Sequence, residues 1–402
     1  MLLAVGFAVA RVLGLAFSLL LGRVLPTEDY GYIQYSILLA GIIGIGAQPF
    51  MQHTFARFVS TSRGDERNLG EVASTSLAIL TVIIALTLVA VVAVSLFTGS
   101  LNLGAIIIFL CVALYYAYYG LARGFEDSAR LSAVFIASNF IQFIAIFAVY
   151  YLLHVRETFP ALAIYGLSYI GPVVFLTIFY PIPVRLGLNL IRRTVANELV
   201  RFSGPVWMSH ALYALMASGD VFILTSLAGE GKAGAFVFTR TLGLAFDFLP
   251  VAVSTLIMPR VASSASSPRR ILMLSIGVIL AVSAVIGVFF MLLYPWFIQT
   301  FIQADYLLPS LTVLVIVLAQ VAFGLHGVIT GVVVGQNRTD VEFVSRVIIV
   351  VCLYSACYAL IPSLDIMGAA LANLFAATVS VLTYPLLIKV MKRRPVPVPA
   401  QA

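Results

Sequence analysis

The sequence predicts an all-α polytopic membrane protein of about twelve transmembrane helices, and three observations carry that expectation. Hydrophobic residues make up 62% of the 402 and charged residues only 10%, against about 45–50% and about 25% in soluble domains; mean hydropathy is +1.10. Apolar stretches of about 20 residues, the length that crosses about 30 Å of hydrocarbon, recur from one end of the chain to the other. With twelve spans, 18 of the 23 Lys and Arg residues fall on one side of the membrane.

The expected spans follow one another with short polar breaks. The first runs Leu2–Leu25, up to Pro26. Tyr30–Arg57 is longer than a crossing requires, so tilt is expected there. Ala73–Phe97 and Leu103–Leu121 come next, then Leu131–Leu153 and Ala161–Tyr180. Phe202–Leu227 and Ala233–Met258 flank the polar turn at Glu230 and Lys232. Ile271–Tyr294, Leu307–Val334, Val341–Ile361 and Gly368–Ile388 complete the set.

An even number of spans puts both termini on one side. The ends and loops on that side hold Arg57, Arg63, Arg123, Arg192, Arg260, Arg338 and Lys389 among others, while the other side holds Arg23, Arg156 and Lys232. Positive loops stay inside, so both termini are expected in the cytoplasm and the chain in the cell (inner) membrane. The net charge of +7 follows from this asymmetry; it marks loop retention, with anionic headgroups as a lesser partner, and no nucleic acid is expected. Cys111, Cys352 and Cys357 all lie in spans without metal-ligand spacing, so no metal and no disulfide framework is expected. The first span carries Arg11 at its centre and lacks a basic leader, so it reads as a span rather than a cleaved signal.

Local echoes suggest a duplication. Arg57-Phe58-Val59-Ser60 begins 26 residues after Gly31, and Arg260-Val261-Ala262-Ser263 begins 26 residues after Gly234. Gly124-Phe125-Glu126-Asp127-Ser128 is echoed by Gly335-Gln336-Asn337-Arg338-Thr339. The expected organisation is a six-helix lobe over 1–180, a cytoplasmic linker over 181–200 with an amphipathic helix near Leu186–Val200, a second lobe over 201–390, and a disordered tail over 391–402.

Gly22-Arg23-Val24-Leu25-Pro26, Asp29-Tyr30-Gly31, Gly46, Arg57, Gly204-Pro205, Asp220, Gly234, Pro259 and Gly368-Ala369-Ala370 occur in an order that resembles the polysaccharide (Wzx-type) flippases of the MOP superfamily, which also holds lipid II flippases and MATE drug exporters. The resemblance spans Arg11 to about Lys389. It implies two six-helix lobes, an alternating-access cavity and export of a polyprenyl-linked oligosaccharide. Lipid II flippases typically add two helices after the twelfth, a departure that counts against peptidoglycan as the product.

Charges inside spans are costly and point to cavities or partners. Arg11 lies about 15 Å into the first span at about 1.5 Å per residue; a guanidinium cannot shed its proton and grips diphosphate as a fork. Asp220 and Arg240 lie at similar depth on neighbouring antiparallel spans, so they form an ion pair, or Arg240 meets the substrate with Asp220 tuning it. Asp247, two turns beyond Arg240 on the same face, is the candidate carboxylate for proton or sodium coupling. Gln48, His53, Arg57 and Arg260 are expected at the cytoplasmic mouth, gathering the headgroup. Gln142, His210, Gln320, His326 and Asn373 bond sugar hydroxyls or join helices, and joining is the expectation for each; Tyr115-Tyr116-Ala117-Tyr118-Tyr119 fits sugar stacking or an interfacial belt, and its place toward the cytoplasmic end of its span favours the belt.

The only Gly-Lys pair, Gly231-Lys232, lacks the earlier glycine of a nucleotide-binding loop. The expected outer loops are too short for a catalytic domain, so neither an enzyme nor a cofactor is expected. The function expected is a flippase for a polyprenyl-(di)phosphate oligosaccharide, working with membrane lipids, H+ or Na+, and a glycan polymerase or glycosyltransferases. The alternatives are a MATE-like cation antiporter and, in a different class, a membrane glycosyltransferase or ligase.

Overall fold

The computed structural model describes residues 2–98, 101–243, 246, 250, 253, 268–336 and 338–391, and these form helices and turns with no strand among them. Hydrocarbon offers no hydrogen-bond partner to the backbone, so each span must satisfy its own peptide groups, and helices do that within one segment. The chain divides into two units, Met1–Ser218 and Gly219–Ala402.

The first unit contains α1 (Leu2–Val24), α2 (Thr27–Ile43), α3 (Ala47–Thr61), α4 (Glu66–Thr98), α5 (Leu103–Gly124), α6 (Ser128–Leu152) and α7 (Thr158–Phe179). A 3-10 turn at Leu188–Leu190 leads into α8 (Arg193–Ala228), along which the division between units falls. The second unit continues with α9 (Glu230–Gly243), α10 (Pro268–Phe301), α11 (Ser310–Gly335) and α12 (Thr339–Val390). Among the described residues eight helices are long and apolar enough to cross a membrane, and the bent pair α2–α3 makes a ninth. The protein is a multi-pass membrane protein.

Helix starts follow the local chemistry. Asn102 accepts from the Ala105 amide at 2.9 Å to cap α5, and Asp127 accepts from the Arg130 amide at 2.9 Å to cap α6. Glu28 and Asp29 sit in the first turn of α2, where the helix dipole favours anions.

Both units place one helix inside and one outside. In the first, α5 is mostly buried while α4 presents Val82, Leu86, Val89 and Leu96 outward. In the second, α11 is mostly buried and α10 presents Leu274, Val285 and Leu292. These exposed rows of large apolar side chains are what a helix facing lipid needs.

Several expectations change. The span expected over Tyr30–Arg57 is not one tilted helix: it breaks between Ile43 and Ala47 and bends by 59°, because Gly44 and Gly46 weaken the turn and Pro49 lacks an amide hydrogen to donate. The segment beyond the bend is π-helical over Phe50–Phe55. No separate amphipathic helix forms near Leu186–Val200, since from Arg193 that stretch is the first part of α8. The spans expected at Val341–Ile361 and Gly368–Ile388 are both in α12, interrupted only at Asp365. There φ is 49° and ψ −124°, a conformation a non-glycine residue rarely adopts. The chain turns back so tightly that a Cβ on Gly368 would lie 2.5 Å from the Leu360 carbonyl oxygen. Outward of this turn, Lys232 holds Asp365 at 2.7 Å. The tyrosine belt is also corrected: Tyr115, Tyr118 and Tyr119 are buried in a cluster with Leu131 and Val134. A run on a central helix faces its neighbours, whatever its resemblance to an interfacial girdle. The expected tail lies, from Lys392 on, outside the described residues.

The α3–α5 interface is the tightest of these contacts. A Cβ at Gly120 would sit 2.1 Å from the Met51 carbonyl oxygen, and one at Gly124 would sit 2.5 Å from the Val59 side chain. Gly120→Ala must therefore push two helix backbones apart, at a cost of about 3 kcal/mol. Thermal unfolding of the purified protein should fall well below wild type for Gly120→Ala and stay unchanged for Gly277→Ala, where the added Cβ meets nothing within 4 Å.

Candidate functional site

Asp220 on α8 is fully buried in the second unit. Its Oδ2 receives Arg240 Nη1 of α9 at 2.5 Å and Asn373 Nδ2 of α12 at 2.8 Å, while its Oδ1 accepts from the Val221 amide at 2.8 Å. A buried carboxylate is tolerated only when paired and hydrogen-bonded, and this one has both. Asn373 also donates to the Ala369 carbonyl at 2.9 Å, which orients its amide. Asp220 thus ties together α8, α9 and the second half of α12.

A second buried carboxylate, Glu342, holds Arg346 one turn along α12 at 2.5 Å. His326 of α11 is buried beside Tyr384, with ring centroids 5.5 Å apart, and Tyr384 shares a hydrogen bond with Thr330 at 2.7 Å. Asp220 and Glu342 are the buried carboxylates among the described residues, and each carries an arginine.

In the first unit α3 and the start of α8 form a polar strip. Trp207 Nε1 donates to the Gly46 carbonyl at 2.8 Å, at the α2–α3 break. Ser203 and Thr54 hydroxyls meet at 3.1 Å, and the rings of His53 and His210 lie 4.8 Å apart. The Arg57 guanidinium stacks over Phe202 at 4.2 Å, and Arg123 reaches the Gln52 carbonyl at 3.2 Å. Arg63 donates to the Gly124 carbonyl at 2.7 Å and pairs with Glu126 at 3.3 Å. Three arginines and two imidazoles therefore gather at the far end of α3. Arg stacked on an aromatic ring keeps its fork of donors facing outward, ready for a planar anion.

Of the residues singled out in the sequence, Gln48, His53 and Arg57 share α3, and Asp220 meets Arg240. Arg11 is exposed on α1. Asp247 and Arg260 lie outside the described residues. Gln48 donates to the Tyr116 hydroxyl at 2.9 Å, and both line a cavity of about 150 Å³ with Tyr165 and Tyr169. Tyr165 and Tyr169 carry no sequence signal for a site, and Tyr116 belongs to the run expected as a belt. The Tyr115–Tyr119 run was the available signal, but only the burial of α5 shows that it points inward. Among the described residues no group of three His, Cys, Asp or Glu side chains is placed to hold a metal ion.

No family model matches the chain, and no curated protein is similar to it in sequence. Solved structures are similar in fold. The lipid II flippase MurJ in an inward closed conformation matches with a TM-score of 0.73 and 16% identity, over 97% of this chain and 87% of that one. An inward-facing multidrug resistance MATE family transporter matches with a TM-score of 0.69 and 14% identity, over 95% and 96%. A Pyrococcus furiosus transporter, described as having a binding pocket of reverse polarity that suggests a different function, matches at 0.60 and 15% identity, over 98% and 95%. The fold is that of MOP superfamily transporters. On this MOP fold the described chain carries its buried acids neutralised and its α3 end basic.

Breaking a buried ion pair from one side leaves an uncompensated charge and costs about 3–5 kcal/mol, whereas replacing both partners is far cheaper. Arg240→Met should therefore lower the melting temperature markedly. Adding Asp220→Asn to it should recover much of the loss, and a double variant no more stable than Arg240→Met would show that the pair does not hold the second unit together.

Proposed function

We propose that this protein translocates a polyprenyl-diphosphate-linked oligosaccharide across the membrane by alternating access between two lobes, roughly 1–180 and 201–390 with a linker between. The carrying observation is the charge balance within the described spans. Asp220 and Glu342 are each paired with an arginine, while Arg57 and Arg123 collect near His53 and His210. A site with neutralised acids and gathered guanidinium groups favours an anion such as a diphosphate over a cation. The MOP fold, shared with a lipid II flippase, supports the same reading.

In this reading the basic end of α3 faces the cytoplasm, as do both termini, in agreement with the sidedness of basic residues. The diphosphate first meets Arg57 and Arg123, while the prenyl tail stays in lipid. Arg240 is held by Asp220, and the pair adds no net charge to the second lobe. Asp247 is the carboxylate assigned to H+ or Na+ coupling. Substrate supply and product use fall to glycosyltransferases and a glycan polymerase. The second reading, cation antiport, is favoured by the equally broad match to MATE transporters and opposed by the arginines on the buried acids.

Proteoliposomes loaded with a fluorescent polyprenyl-diphosphate oligosaccharide test the proposal. Wild type should move the lipid between leaflets. Arg57→Ala should slow it about tenfold or more, the cost of losing one charged hydrogen-bond donor. Asp247→Asn should abolish the dependence on an ion gradient. Export of a fluorescent cation without lipid movement would replace this reading with the antiporter.

A further inference from the structure

The cavity in the first unit has a chemistry that the basic end of α3 does not share. It lies where α2, α3, α5 and α7 meet, lined by Gly41, Gly44, Gln48, Tyr116, Tyr165 and Tyr169 among small and aliphatic residues. None of its lining residues is charged. A space of about 150 Å³ takes one six-membered ring, since an aliphatic cavity of about that volume holds benzene. The polar atoms here suit hydroxyl groups. Gln48 spends one amide hydrogen on the Tyr116 hydroxyl at 2.9 Å, and its carbonyl is an acceptor on the same wall. The Tyr116 hydroxyl keeps its own hydrogen to donate. Tyr169 donates to the Tyr165 hydroxyl at 3.4 Å, a long bond that leaves both open to a better partner.

A diphosphate is excluded, because no cationic side chain lines the space. A cationic ligand finds no carboxylate there, and a lipid chain would strip these tyrosine and amide groups of hydrogen-bond partners. A pyranose ring satisfies both halves of the wall, with C–H faces against aromatic rings and hydroxyl edges on Gln48 and tyrosine.

We propose that this cavity is a sugar subsite, holding one ring of the translocated glycan between the tyrosines of α5 and α7. This rests on the flippase reading and assigns glycan recognition to a place apart from the charges. Gln48 lies nine residues from Arg57 along α3, about two helical turns away even through the π-helical stretch. The subsite is therefore displaced from the arginines that take the diphosphate, as the glycan is displaced from its phosphate in the substrate.

Gly41 supplies the test, because it lines the cavity and a Cβ added there meets nothing within 4 Å, so the side chain of Gly41→Leu starts in open space at the cavity wall. Binding of bare polyprenyl diphosphate, and of polyprenyl diphosphates carrying glucose, galactose or N-acetylglucosamine, is measured on the purified full chain in nanodiscs. At least one glycosylated carrier should bind about tenfold tighter than the bare one. Gly41→Leu and Gln48→Met should each erase that gain and melt as wild type, and Gly41→Leu should leave the bare carrier's affinity unchanged. If every glycosylated carrier binds no better than the bare one, or the gain survives in both variants, the subsite is wrong while the flippase reading stands. If no carrier binds at all, the flippase reading itself fails.

Discussion

A backbone carbonyl that leaves its helix within a bilayer must find another donor, because the hydrocarbon supplies none and each orphan costs several kcal/mol. That constraint explains where this protein can be irregular. At the α2–α3 break the Gly46 carbonyl is taken by the Trp207 indole. In the π-helical stretch the Gln52 carbonyl is taken by Arg123. At the end of α5 the Gly124 carbonyl is taken by Arg63, and at the end of α12 the Ile388 and Met391 carbonyls are taken by Arg338. Arginines that mark sidedness in the sequence thus also close helix ends, where the dipole is negative.

The same breaks build the candidate site. Had α2 and α3 run on as one helix, Gln48 would continue its line, and the space beside Gly41 and Gly44 would be filled by regular helix packing. The bend redirects α3 against α5, where Gly120 and Gly124 let the two backbones approach within a distance no side chain tolerates. Close approach at that end is paired with open space at the other, beside Tyr116 and Tyr165. Irregular geometry, tight packing and the cavity are therefore one feature.

Charge follows a parallel logic. Burying Asp220 costs most when the ion is alone, so the fold surrounds it with Arg240, Asn373 and a backbone amide. In the proposed function the arginines at the end of α3 favour an anionic headgroup. The proposed sugar subsite, uncharged and tyrosine-lined, would discriminate among anions of the same charge, a task that hydrogen bonds perform better than a Coulomb field.

Much of the architecture was legible along the chain. Hydropathy is local and sums over about 20 consecutive residues, so the membrane environment, the all-helical class and most spans needed no tertiary information. The charges of interest were legible too, because a polar residue in an apolar run is conspicuous. Their partners were not. Asn373 reaches Asp220 across 153 residues and Gln48 reaches Tyr116 across 68, and separations of that size carry no periodic signal. The same holds for the inward face of the Tyr115–Tyr119 run and the bend at Gly44–Gly46, since glycine permits a break without requiring one. Composition and order along the chain decided the solvent, the helices and the candidate charges, each being a sum over neighbours. Which helices break, which acids are neutralised and where a ring fits were decided only by packing, because those depend on distances between segments the chain order leaves free.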